Sequence, residues 1–483
     1  MAPVSRIGGR ALAALLPDLN ALPGPVYSAL GDAITALVLD GRIATETRLP
    51  SERELADALR LSRATVTAAY DALRTGGYLT SRTGSGSFVT VPPGSRPRQS
   101  LARWSPTSAA PEDVIDLSCA ALPAPPGVVA PAVERAAAKL APYACGDGYD
   151  PAGLAVLRTA VAARYSARGV PTAPEQVLIT SGALHGVDLL LRLLLGPGDR
   201  VLTELPTYPG ALDAVRAAGA RLVPVPMAAG GSGGWQVDQM QATLRQAAPR
   251  LACLTPDFHN PTGALVDEAA RRAVLRTARQ TGTTVIVDES FVGFGFGPDE
   301  RPCAAIDPTV ISIGSLSKPV WGGLRIGWVR ASAEMISRLA ALRASIDLGG
   351  PVLDQLVAAE LFADLDAILA ARLAQLRPQR DALLAALARE LPQWRTTEPR
   401  GGLSLWVELD APLSTPLTLM ALPAGVVLVP GSRFGVDGTL ERFLRLPFSQ
   451  PVAQLDEAVR RLAGVWSQLD RSGGIGPRQL VVA

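Results

Sequence analysis

Between Val91 and Glu112 the chain reads VPPGSRPRQSLARWSPTSAAPE, a run of Pro, Ser and Arg with no apolar period. Such a stretch is semi-extended at its prolines and too polar to pack, so it joins two bodies that each need their own core. It separates an N-terminal piece over 17–91 from a large piece over 113–470, with 92–112 as the linker. The closing RSGGIGPRQLVVA, 471–483, is expected to be a frayed tail. The 483 residues, 48% hydrophobic and 19% charged, supply enough apolar surface for two such cores.

Charge and rare residues narrow the function classes. A net charge of +2 gives no global field toward nucleic acid, so any DNA contact must be local and geometric. No apolar run is long enough to span a bilayer, and Met1–Arg10 does not lead into a signal-like apolar stretch. A cytoplasmic location, with no membrane partner, is the expectation. His185 and His259 are the two histidines, and neither has a second imidazole near it in sequence. Zinc sites built on several histidines are excluded, Ser-His-Asp hydrolysis is disfavoured, and no metal is expected. Cys119, Cys145, Cys253 and Cys303 form no C-x-x-C pair, which fits reduced thiols, expected as small buried residues.

In the small piece, Val26, Leu30, Ile34, Leu37 and Val38 have the period of an amphipathic helix over Val26–Asp40. Ser51 with Glu54 three residues on is a capping box, opening a helix that runs to about Leu59. Ser62 is a second N-cap, for a helix from Arg63 to about Thr75 that Gly76-Gly77 ends. Tyr78–Arg82 and Ser87–Val91 then read as strands around the turn Thr83-Gly84-Ser85-Gly86. Two helices, a turn and a hairpin make a winged helix-turn-helix, whose second helix can enter the major groove at its N-terminus. The spacing alone also suits a three-helix protein-binding module. LPSERELA, LSRATVTAAYDALRTGGYL and the glycine-tipped SGSFV, however, resemble the DNA-binding domain of the GntR family across nearly all of 22–92. That resemblance implies a double-stranded DNA operator as partner. It places Arg53, Arg63, Thr65 and the wing around Gly84 on the DNA-facing surface; the motif itself adds Ser62 and Thr67 at the start of the second helix and Arg82 beside the wing tip.

The large piece alternates strand and helix patterns. Val177–Thr180, Leu251–Thr255, Thr284–Val287 and Val310–Ser315 are apolar runs short enough for buried strands. The expected class is α/β with a mostly parallel sheet, in which ligands gather at the carboxyl ends of the strands. Polar signals fall at those ends. Ser181-Gly182-Ala183 hands a strand to a helix, where free N–H groups can hold a phosphate, although a plain tight turn reads the same way. Asn260-Pro261-Thr262-Gly263 follows a second strand as a turn, and Asp288 ends a third. GSLSKPVWGGLRIGW sets Ser315, Ser317 and Lys318 after a fourth, with Arg325 seven residues further. Of 46 Lys and Arg residues, only Lys139 and Lys318 are lysines. A lysine kept at a strand end in an arginine-dominated chain suggests a task guanidinium cannot perform, such as forming an imine. Lys139, in AVERAAAKLAP, reads as a solvated helix face.

The order and spacing of Asn260, Asp288, Lys318 and Arg325, with the wording NPTG and SLSK, resemble the class I/II fold-type-I pyridoxal-phosphate aminotransferases over about 113–470. The resemblance implies pyridoxal 5'-phosphate as cofactor and Lys318 as its Schiff-base lysine. It implies Asp288 on the pyridinium nitrogen, Asn260 on the phenolic oxygen and Tyr208 stacked on the ring. Gly182, Ala183, Leu184, Ser315, Ser317 and Arg325 surround the phosphate. Tyr149, in GYDPAGLAVLR, matches the tyrosine that reaches the partner subunit's phosphate, which implies a homodimer. Arg445, in FLRLPFS, matches the arginine that clamps a substrate or effector carboxylate. The chain departs from the pattern after Asp288, where a tyrosine hydroxyl is usual and Ser290 and Phe291 stand instead. Serine is the residue that could replace that hydroxyl in part. His185 stands in the phosphate loop, free to face either cofactor or solvent.

The two resemblances together are those of the MocR family of bacterial regulators. They imply a PLP-dependent transcriptional regulator that senses PLP or its adduct with a small amino compound. Transaminase turnover in such a regulator is expected to be weak or vestigial; a catalytically active PLP-dependent aminotransferase acting on amino acids is the alternative.

Overall fold

The computed structural model describes residues 6–16, 19, 25–39, 43–82, 85–91, 113–228, 234–436 and 438–473. The linker over 92–112, Gly84 in the wing turn and residues 474–483 lie outside the described residues. The expectation of a tail from 471 is corrected by the last helix, Val452–Gly473, which continues into it.

The head consists of α1 (Gly9–Leu15), α2 (Val26–Leu39), α3 (Glu52–Leu59), α4 (Arg63–Thr75), β1 (Leu79–Arg82) and β2 (Gly86–Val89). Both serine caps form: Ser51 Oγ accepts from Glu54 N at 3.2 Å, and Ser62 Oγ accepts from Thr65 N at 3.1 Å. The head begins earlier than residue 17. Leu12 of α1 is fully buried in one core with Leu30, Leu55, Val66, Leu73 and Val89, and Gly9 N donates to Glu54 Oε1 at 2.8 Å. Tyr70 OH on α4 donates to Pro50 O at 2.9 Å and locks the angle between α4 and the entry to α3. β1 and β2 pair antiparallel, and the segment 46–49 adds a third backbone rung through Glu46 N to Val89 O, 2.9 Å, and Leu49 N to Ser87 O, 3.0 Å.

The body opens with β3 (Ile115–Asp116), α5 (Val129–Ala138) and α6 (Ala155–Ala167). There follow β4 (Val177–Thr180), α7 (Ala183–Leu194), β5 (Arg200–Leu205), β6 (Arg221–Pro226), β7 (Leu251–Leu254), β8 (Thr284–Asp288), β9 (Ile311–Ser315) and β10 (Gly327–Arg330). These last seven strands form one sheet in the order β4-β10-β9-β8-β7-β5-β6. Pairings from β9 to β6 are parallel, and β10 runs against both neighbours, so the sheet is mostly parallel as expected. Alternation along β8 explains why it reads as an unbroken apolar run: Val285 and Val287 enter one core, and Ile286 enters the other with Ile313, Val329 and Leu190. A smaller antiparallel sheet, β11 (Arg395–Thr396), β12 (Ser404–Glu408) and β14 (Phe443–Pro447), carries Arg445. β13 (Val426–Val427) pairs with β3, anchoring the chain just after the linker. Among the described residues no helix is long and apolar enough to cross a membrane.

The cysteine expectation holds for half of the set. Cys303 is buried and Cys253 half-buried, but Cys119 and Cys145 are exposed, because they lie on connecting segments rather than on elements with a core face.

Candidate cofactor site and nucleic-acid interface

The carboxyl ends of β4, β7, β8 and β9 bring the expected residues toward one space. Gly182, at φ 91°, turns β4 into α7, a conformation that favours glycine. Thr180 Oγ1 donates to Gly182 O at 2.9 Å and Arg325 Nη2 to Ser181 O at 2.7 Å, which holds the loop open at the helix N-terminus. Arg325 itself adopts φ 53°. A Cβ on Gly182 would stand 2.7 Å from its guanidinium, so the glycine makes room for that cation. Ala183 and the exposed Leu184 open α7 with amides that have no intrahelical partner. His185 turns back: its Nδ1 accepts from Ser181 N at 3.0 Å, and burial lowers its pKa, so the imidazole is a neutral brace of the loop.

Lys318 lies beyond the end of β9. Its Nζ donates to Ala120 O at 2.7 Å and stands 5.6 Å from the Phe291 ring centroid. Burial lowers its pKa and nearby Arg445 lowers it further, against Cys119 and Asp288, which raise it. A neutral amine is the form that attacks a carbonyl. Burial raises the Asp288 carboxyl, while Ser290 and Lys318 pull it down. Ser290 N donates to Asp288 Oδ1 at 2.8 Å, which sets Ser290 against that carboxylate. The hydroxyl of Ser315 is taken by Ser317 Oγ at 2.8 Å and Ile326 O at 3.2 Å, so it braces the turn before Lys318.

Asn260 Oδ1 is buried with no hydrogen-bond partner among the described residues. A half-turn of an amide exchanges oxygen for NH2, so this group can answer a polar atom of either kind. Tyr208 remains 39% exposed over the space, with its pKa raised by burial and then by Asp288. Arg445 is buried, lies 5.0 Å from the Phe434 ring centroid and donates to Ser118 O. Tyr149 is 66% exposed.

Two features escaped the sequence. Ser118, Cys119 and Ala120 form a strap whose carbonyls hold Arg445 and Lys318, with the exposed Cys119 between them. Backbone carbonyls carry no sequence signature, and the strap exists only once the chain has folded. The second is Glu204, fully buried near the end of β5 beside His259.

These residues fit pyridoxal 5'-phosphate. The helix N-terminus with Arg325 suits the phosphate, the half-buried Asp288 carboxylate suits a pyridinium N–H, the orphaned Asn260 amide suits a ring oxygen, and the half-buried Lys318 amine suits the aldehyde.

In the head, Arg53 and Arg63 are exposed and form no ion pair with any described residue. Ser62 and Thr65 bond each other at 2.8 Å at the start of α4. Thr67 corrects its expected role: its hydroxyl donates inward to Glu52 Oε2 at 2.8 Å and ties α4 to α3. Arg82 is also engaged, by Glu46 and over the Phe88 ring at 4.5 Å, because 46–49 pairs with the wing. Arg48, unremarked in the sequence, stands against the wing, its Nε 2.9 Å from where a Cβ on Gly86 would lie.

Fold and site together define a winged-helix DNA-binding head on a PLP-type aminotransferase body. The family "Aminotransferase class I and II" matches residues 112–462, and "Bacterial regulatory proteins, gntR family" matches 26–89. The uncharacterized HTH-type transcriptional regulator YisV of Bacillus subtilis is 30% identical over 454 residues, 88% of this chain and 92% of that protein. The probable rhizopine catabolism regulatory protein MocR of Rhizobium meliloti is 32% identical over 327 residues, 63% of this chain and 65% of that protein. The crystal structure of LysN, an alpha-aminoadipate aminotransferase of Thermus thermophilus complexed with N-(5'-phosphopyridoxyl)-L-leucine, superposes with a TM-score of 0.67 at 32% identity. That match covers 74% of this chain and 94% of LysN. The chain belongs to the MocR family, regulators in which a GntR-type head is fused to an aminotransferase-class body.

Proposed function

We propose that this protein is a cytoplasmic, homodimeric transcriptional regulator that binds a duplex DNA operator and senses PLP, alone or joined to a small amino compound. The observation that carries the reading is the convergence of Lys318, Asp288 and Arg445 on one space, with the amine and the guanidinium each held by a strap carbonyl. Bound PLP supplies an aldehyde that condenses with an amine and a ring that withdraws electrons. Lys318 offers the amine, Asp288 holds a proton at the ring nitrogen, and Asn260 bonds the ring oxygen. Gly182, Ala183, Leu184, Ser317 and Arg325 receive the phosphate, with Ser315 behind them, and Tyr208 covers the ring. Arg445 takes an effector carboxylate by a bidentate pair.

To do so, Arg445 and Lys318 must leave Ser118 O and Ala120 O. The strap carrying those carbonyls follows Ile115–Asp116, the first body strand after the linker to the head. An effector shifts the arrangement of the heads only by its differential affinity for the two states, and competition with the strap supplies that difference. Exposed Tyr149, Ile346, Leu348 and Leu353 support the homodimer as apolar surface that a second copy would cover. Phe291 beside Lys318 brings no hydroxyl, which favours sensing over turnover.

The test is direct. Incubation with PLP is expected to yield a visible absorbance band, borohydride to fix the cofactor to Lys318 in a peptide map, and Lys318→Ala to abolish both. A colourless wild-type protein with no fixed cofactor refutes the sensor.

A further inference from the structure

Beneath the floor of the site lies an acid–imidazole pair with no place in the roles above. Glu204 and His259 side chains are both fully buried, with Glu204 Oε2 and His259 Nε2 3.8 Å apart. Each of these two atoms has no hydrogen-bond partner among the described residues. Their other atoms are engaged: Glu204 Oε1 accepts from Thr255 N at 2.8 Å and Trp235 Nε1 at 2.9 Å, and His259 Nδ1 lies 2.9 Å from Thr262 Oγ1. Two buried orphans facing each other are costly unless one proton lies between them. The pair touches the site through the chain itself. His259 precedes Asn260, Thr262 belongs to the same turn, and Glu204 is four residues before Tyr208.

We propose that Glu204 is a positioning residue for Asn260: its carboxylic acid donates from Oε2 to Nε2 of His259, which holds His259 in the Nδ1–H tautomer and, through Thr262, fixes the turn that presents Asn260. One proton between Glu204 and His259 satisfies both orphaned atoms without an external group. Oε2–H donates to Nε2, Nδ1–H donates to Thr262 Oγ1, and Thr262 Oγ1 also accepts from Ala264 N at 3.3 Å. Contraction of the 3.8 Å gap by about 1 Å brings it to hydrogen-bond length.

Burial pushes Glu204 up to about 7, opposed by the Thr255 and Trp235 bonds and assisted by the charge of Asp288. Burial alone pushes His259 down to about 3, so the imidazole stays neutral throughout the working range. The titratable groups bearing on Glu204 are His259, Asp288 and Cys253, and burial holds the Cys253 thiol up near 12. Glu204 is therefore the group of this cluster that titrates near neutrality. Below that point it is a neutral donor. Above it, the carboxylate faces an Nε2 lone pair, and His259 must move its proton from Nδ1 to Nε2, so the Thr262 hydroxyl must turn to donate to Nδ1 and the hydrogen bond within the turn reverses. The tautomer of one histidine thus reports the charge of one glutamate.

A chain with two histidines makes this measurable. Full-length protein labelled with 15N-histidine, assigned with His185→Asn, is titrated between about pH 6 and pH 8. Wild type is expected to change from the Nδ1–H to the Nε2–H pattern at His259 with a midpoint near 7. Glu204→Gln, whose amide keeps the accepting oxygen and donates permanently to Nε2, is expected to remain Nδ1–H throughout. No tautomer change in wild type, or the same change in both proteins, overturns the proposal; the wild-type titration decides alone if the variant does not fold. The link to the cofactor rests on the reading of Asn260 above and has its own readout. The ratio of PLP dissociation constants at the high and low ends of the range is expected to be several-fold larger in wild type than in Glu204→Gln. Equal ratios alongside a tautomer switch would reject Asn260 as the relay's target while leaving the proton-sharing pair in place.

Discussion

Gly327 opens β10 with Thr180 on one side and Ser315 on the other, so it sits between the two strand ends that frame the phosphate loop. A Cβ there would lie 2.5 Å from Gly182 C and 2.8 Å from both Gly182 Cα and Ala183 N. The shortest contact is about 0.9 Å inside the 3.4 Å at which packing becomes ordinary, and the obstacle is backbone, which has no rotamer through which to yield. Gly327→Ala therefore moves the loop or strains the strand, at about 1–3 kcal/mol. Taken up by the loop, that cost weakens phosphate binding by roughly fivefold to 150-fold. The comparison of ligands is decisive. Pyridoxal 5'-phosphate affinity is expected to fall in this range while pyridoxal, which lacks the phosphate, loses little. Gly322→Ala, where a Cβ meets nothing within 4 Å, serves as the control. PLP binding within twofold of wild type, or an equal loss for pyridoxal, would refute the assignment of the loop as the anion cradle.

Arg63→Ala is expected to weaken operator binding by about 1–3 kcal/mol for a base contact, or to lower the salt slope by about 1 for a phosphate contact. Unchanged affinity at fixed salt counts against α4 as the reading helix. In the body, Arg271 is completely buried and clamps Asp257 at 2.7 and 3.3 Å, while its Nε donates to Val266 O at 2.8 Å. Arg271→Met strands a buried carboxylate and should cost about 3–5 kcal/mol in urea denaturation, with Asp257→Leu added to the same chain recovering part of it. A loss no larger than a surface substitution would show that the pair is hydrated.

What could be read in advance follows the range of the interactions. Ser51 and Ser62 cap helices through contacts three residues away, so α3 and α4 were legible to the residue. Buried strands in a two-faced sheet are plain apolar runs, and β4, β7, β8 and β9 fall within a residue or two of expectation. Lys318, Asp288 and Asn260 stood out because amine, acid and amide at strand ends serve few purposes besides chemistry. The rest depended on distant partners. α1 is seven residues long and lacks a strong period, and only Leu12 meeting the head core reveals it. Thr67 and Arg82 had suitable residue types for DNA, yet Glu52 and Glu46 claim them from elsewhere in the chain. Glu204 reads as one more polar residue near a strand end until β5, β7 and the Asn260 turn close around it.

The scarcity of lysine has a practical corollary. Lys139, the other side-chain amine, extends from the end of α5 into solvent and is gripped by Glu360, which Arg135 also holds. An aldehyde meeting this surface finds guanidinium groups almost everywhere, and these are far poorer nucleophiles than amines. Stray capture is consequently suppressed across the whole exterior. A detector that must register a scarce, promiscuous electrophile gains from such a quiet background, since nearly every productive encounter is channelled to a single address.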